Sequence, residues 1–194
     1  APLSLAASIV LTCLAPTGAT KGGSAIYLAA SLILFGISAL YHRFYWSPRW
    51  EIVWNRLDHS NIFLLIAGTY TPLSIAILPH DQAVTILSIV WGGALLGILL
   101  NLFWPTAPRW LATLIYVALG WVAVWYLPQF WALGGAVIVW LLLAGGILYT
   151  IGAVVYATKK PDLSPRWFGF HEIFHLCTVL AWACHCVAVY LAVL

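Results

Sequence analysis

Two imidazoles stand four residues apart in His171-Glu172-Ile173-Phe174-His175, at the start of a long apolar run. Residues at i and i+4 share one helix face, so both rings can reach a single metal ion. Ionisable side chains are costly inside a bilayer, and there they point first to function. Ser38-Ala39-Leu40-Tyr41-His42 adds a third imidazole, and Leu57-Asp58-His59-Ser60 adds a carboxylate. Three neutral imidazoles and a water make a tetrahedral zinc site with one exchangeable position. Zinc lowers the pKa of its water toward ~7, which makes hydroxide available to attack a carbonyl. Asp58 can accept a hydrogen bond from that water or act as general base. Ser38 precedes His42 by one turn and can bond the water or orient a ligand. A structural zinc remains an alternative to a catalytic one.

The positioning elements follow from composition. The chain has 194 residues, of which 64% are hydrophobic and 7% charged. A soluble domain of this size would carry far more charge on its surface. About 20 helical residues cross the hydrocarbon at ~1.5 Å per residue. The apolar runs predict an all-α membrane protein, a single seven-transmembrane helix bundle over residues 1–194. Its spans are expected near 2–17, 24–43, 54–78, 83–103, 110–127, 132–157 and 169–193. The chain contains no Met, so its N-terminus is expected to be trimmed or processed. A cleaved signal peptide is a poor account of the first run, since further apolar runs follow it.

Charge sets the orientation. The segments after spans two, four and six hold Arg43, Arg49, Arg56, Arg109, Lys159, Lys160 and Arg166, whereas the opposite side holds Lys21. Positive loops stay in the cytoplasm, which predicts a cytoplasmic N-terminus and an external C-terminus. The net charge of +3 is thus a topology signal, and nucleic acid is not an expected partner. His42 closes span two and Asp58 is expected about one turn into span three. Span seven also begins inside, so helix counting puts all four groups near the cytoplasmic face.

Other residues have blander expectations. Trp46, Trp50, Trp104, Trp110, Trp131 and Trp167 suit an interfacial belt. Trp91, Trp140 and Trp182 fall mid-span and are expected to pack inside. Cys13, Cys177, Cys184 and Cys186 form no CxxC pair and are expected to be small buried hydrophobes. Pro72 cannot donate to the Gly68 carbonyl, which predicts a kink or a freed carbonyl there, either lining a cavity or packed with a threonine satisfying the carbonyl. Pro105, Pro108, Pro161 and Pro165 mark loops. His185, ~15 Å deeper than His175 along the helix, is expected to link helices. His59 is expected at the interface or behind the site. His80 and Asp81 are expected to face water. Glu172 completes a zincin-like HExxH string, yet lies ~100° around the helix from His171.

Taken together, Ser38-x-x-x-His42, Asp58 and His171-x-x-x-His175 resemble the signature of the progestin and adipoQ receptor superfamily. The longer strings Ser38-Ala-Leu-Tyr-His42, Asp58-His-Ser-Asn-Ile-Phe-Leu-Leu-Ile-Ala-Gly-Thr-Tyr-Thr-Pro72 and His171-Glu-Ile-Phe-His175 resemble its hemolysin-III branch. The resemblance covers spans two to seven. It implies a zinc held by His42, His171 and His175 near the cytoplasmic face, with Asp58 and Ser38 beside the metal's water. It favours Asp58 over Glu172 as the catalytic partner. It also implies a multi-pass protein of a bacterial inner membrane, with membrane lipids as partners and lipid amide or ester hydrolysis as the expected activity. A receptor or sensor with structural zinc, and a lytic or transport protein, are the alternatives. A retinal protein is disfavoured, because span seven has no Lys for a Schiff base.

Overall fold

The computed structural model describes every residue except 1, 105–107 and 164–167, together with all described side chains but that of Arg109. Pro105, Pro165, Arg166 and Trp167 therefore lie outside the described residues. Among the described residues the regular elements are helices: α1 (Pro2–Leu14), α2 (Gly18–Arg43), α3 (Pro48–Ile77), α4 (His80–Phe103), α5 (Arg109–Gly120), α6 (Leu127–Gln129), α7 (Ala136–Thr158) and α8 (Phe170–Val193). The chain forms two compact units, one of Ala1–Ala107 with Ala192–Leu194 and one of Pro108–Leu191.

Among the described residues, six helical segments are long and apolar enough to cross a membrane: Gly18–Arg43, Pro48–Ile77, His80–Phe103, Trp110–Gly134, Ala136–Thr158 and Phe170–Val193. The first expected span falls short of that length. Helix α1 has 13 residues, about 20 Å at the α-helical rise, against ~30 Å of hydrocarbon.

In the first unit, α1, α2, α3 and α4 pack in sequence order. Thr17 caps α2 through a reciprocal bond pair with Thr20. Gly68 lets α3 approach α2 at Ala30, where a Cβ would find no room. Helix α3 begins at Pro48, so Asp58 lies nearly three turns in rather than one. Arg56, expected in a loop, is inside α3 as well, with its Nη1 donating to the Leu102 carbonyl of α4 at 3.5 Å. The helix runs through Pro72 without ending. Neighbouring Thr69 and Thr71 each donate back to the carbonyl four residues earlier, at 2.8 Å.

The second unit corrects a boundary. The break expected at 128–131 comes instead at Gly135, whose φ of +87° is open to glycine. Pro128 does not end the span, but it cannot donate to the carbonyl of Val124. The helix there tightens to a 3₁₀ stretch over Trp121–Tyr126 and loosens to a π turn over Phe130–Gly134. Trp140, expected to pack inside, is 63% exposed, because α7 turns that face outward. Trp182 is buried, and Trp91 donates to the Thr71 hydroxyl at 3.1 Å. Trp50, Trp104, Trp110 and Trp131 are at least half exposed, as an interfacial belt requires.

Candidate metal centre

Each unit carries one part of the expected site. In the first, α2 carries His42 in its last turn and α3 presents Asp58. Their Nε2 and Oδ2 atoms are 3.9 Å apart, too far for a direct hydrogen bond and suited to facing a common third group. The Asp58 side chain is 11% exposed and that of His42 38%. Ser38 is half-buried one turn before His42 on α2.

In the second unit, α8 opens with His171 and His175. Their Nε2 atoms are 3.0 Å apart, and the rings meet at 87° with centroids 4.6 Å apart. Two nitrogens sharing a tetrahedral zinc at ~2.0–2.1 Å would be about 3.3 Å apart. The pair is therefore already convergent, and the donor set fits zinc. Tyr156 of α7 and Phe174 flank His171 with ring centroids at 6.4 and 6.3 Å.

Glu172 is turned to a different task. Its Oε2 accepts the Gly169 N–H at 2.9 Å, the return half of a capping box. Asp162 accepts the Phe170 N–H at 3.2 Å. Two carboxylates thus complement the positive N-terminal end of α8 and satisfy donors that the helix leaves open. Asp162 went unread in the sequence, because its partner lies eight residues on, beyond any local capping pattern.

Two other histidines have structural partners. His59 Nδ1 donates to the Asn55 carbonyl at 2.8 Å. His185 Nε2 donates to the Leu142 carbonyl of α7 at 3.2 Å, and its ring meets Tyr149 edge-on; it links two helices, as expected. Gly145 leaves the space that the His185 ring fills. Cys177 is buried against Gly152 and Cys186 is also buried, whereas Cys13 is exposed and Cys184 intermediate, and all four are free. His80 and Asp81 are exposed at the start of α4.

One site neighbour was missed. Asn61 is 8% exposed, follows Asp58 by three residues on the same face of α3, and its Nδ2 has no partner among the described residues. The polar string Asp58-His59-Ser60-Asn61 carried that signal. Asn101 of α4 steadies the same turn, donating to the Arg56 carbonyl at 3.2 Å and to Ser60 Oγ at 3.0 Å.

Comparison with known proteins identifies the family. A family model described as haemolysin-III related matches residues 1–186. Hemolysin-3 of Bacillus cereus is 35% identical over 182 residues, covering 90% of this chain and 78% of that protein. The Hemolysin-3 homolog of Bacillus subtilis (strain 168) is 37% identical over 147 residues, covering 75% and 68%. The adiponectin receptor protein of Drosophila melanogaster is 28% identical over 176 residues, covering 80% of this chain and 39% of that one.

Proposed function

The chain belongs to the haemolysin-III related family and is an integral multi-pass membrane protein, and from that premise we propose a zinc-dependent hydrolase of a lipid amide or ester. The observation that carries the reading is the convergence of the His171 and His175 Nε2 atoms to 3.0 Å. In this reading His42 is the third ligand. The bundle has seven spans in one domain, with the N-terminus inside and the C-terminus outside. The charge asymmetry of the loops supports that orientation.

When bound, zinc would supply the acidity that makes water a nucleophile near neutral pH. The protein's own residues do the rest. His42, His171 and His175 bind through ring nitrogens. Asp58 takes the proton of the attacking water on its carboxylate and returns it to the leaving group. Its burial keeps that carboxylate out of bulk water. Ser38 orients the water from one turn before His42. Glu172, committed to the Gly169 N–H, stays out of the chemistry.

A second reading draws on the names of more distant relatives, the fly adiponectin receptor protein and the progestin and adipoQ receptor-like protein 1 of Caenorhabditis elegans. There the zinc would be structural and a bound ligand would shift the helices. A lipid-hydrolysis screen on purified protein separates the two readings. Cleavage of an amide or ester lipid that is lost with Asp58→Asn supports the hydrolase. Lipid binding without turnover by zinc-loaded protein supports the receptor.

A further inference from the structure

The turn between α2 and α3 holds an open pocket of about 270 Å³ lined by Tyr41, His42, Phe44, Tyr45, Trp46 and Glu51. The Tyr41, Phe44 and Trp46 rings and the Glu51 carboxylate beside this open space form the chemistry that holds an ammonium group. Ring faces attract a cation through their quadrupole, and a carboxylate supplies the counter-charge.

Two of the rings are held in place before any ligand arrives. Trp46 donates its Nε1–H to the Tyr41 carbonyl at 3.3 Å and leans on Trp54 with centroids 4.7 Å apart. The Tyr41 hydroxyl accepts from Asn55 Nδ2 at 3.1 Å, so α3 fixes a ring that belongs to α2. Phe44 meets Trp46 edge-on at 6.3 Å. Rings fixed in this way lose little side-chain freedom when a ligand enters.

Charge and placement indicate the occupant. Arg43 and Arg49 flank the same turn and are exposed, so a cation-binding cavity sits among groups that attract phosphate. The turn joins two membrane-spanning helices, and its exposed Tyr45 and Trp50 suit the headgroup level of a bilayer. We propose that this cavity binds the headgroup of a zwitterionic phospholipid, with the ammonium against the rings and Glu51 and the phosphate toward Arg43 or Arg49. His42 belongs to the cavity wall and to the candidate metal ligands. As a lipid-binding site the cavity stands alone; as the hydrolase's substrate pocket it rests on the reading above.

Native mass spectrometry of the full chain in detergent tests this by counting lipid adducts. Phosphatidylethanolamine, phosphatidylcholine and phosphatidylglycerol would be titrated separately, with zinc read in the same spectra. The two ammonium lipids should form a one-per-chain adduct at about tenfold lower concentration than phosphatidylglycerol. Glu51→Gln, a mild change, and Trp46→Leu should both erase that preference. Equal binding of phosphatidylglycerol, or an unchanged preference in folded Glu51→Gln, would overturn the proposal. So would choline chloride displacing the lipid at equal concentration, since the occupant would then be a free ammonium compound. Absence of zinc or turnover alongside the expected lipid preference would count against the hydrolase alone.

Discussion

At the residue scale, three carboxylates near the candidate centre divide their labour by position. Asp58 is buried on α3 beside His42, while Glu172 and Asp162 hold N–H groups at the start of α8. Asp58→Asn keeps the shape and removes the basic oxygen, so turnover should fall by at least about 10²-fold while bound zinc is retained. Activity and metal content measured on one preparation check this. Glu172→Gln should keep most activity and cost about 1 kcal/mol of stability through its weakened cap. Loss of turnover in Glu172→Gln with full turnover in Asp58→Asn would replace this chemistry with a zincin-like one.

Elements were read from the sequence with uneven success, for physical reasons. The runs ending at Arg43 and beginning at Phe170 matched closely, because Arg43 and Pro48 bound the first and the charged stretch Lys159-Lys160-Pro161-Asp162 precedes the second. Asp58 was placed too near the start of α3, because Trp50, Ile52 and Trp54 continue the helix below the apolar core. The break after α5 was misplaced because Pro128 reads as a stop, whereas the helix absorbs it by changing pitch. The i,i+4 spacing of His171 and His175 was legible, since helix geometry alone makes them converge. Asp162 was not, since its bond crosses an irregular segment. Packing between α7 and α8 has its own test. Gly145 makes room for the His185 ring, so Gly145→Val should overpack that contact and cost about 1–3 kcal/mol, read as a lowered Tm. Adding His185→Ala should recover part of the loss.

At the scale of the whole molecule, the proposal joins two halves of a site carried by separate stretches of chain. Topology can be tested without reference to chemistry. Cysteines introduced at Lys160 and at Leu194 in a background lacking the native four should label from opposite sides, with Lys160 inside. External labelling at Lys160 would invert the orientation. The central claim is that His42 shares one zinc with His171 and His175. Its most direct test is metal analysis of gently purified full chain beside His42→Ala and His171→Ala. About one zinc per wild-type chain, lost in both variants, is the predicted result. Wild-type protein free of transition metal, or His42→Ala that keeps its full zinc, would contradict it.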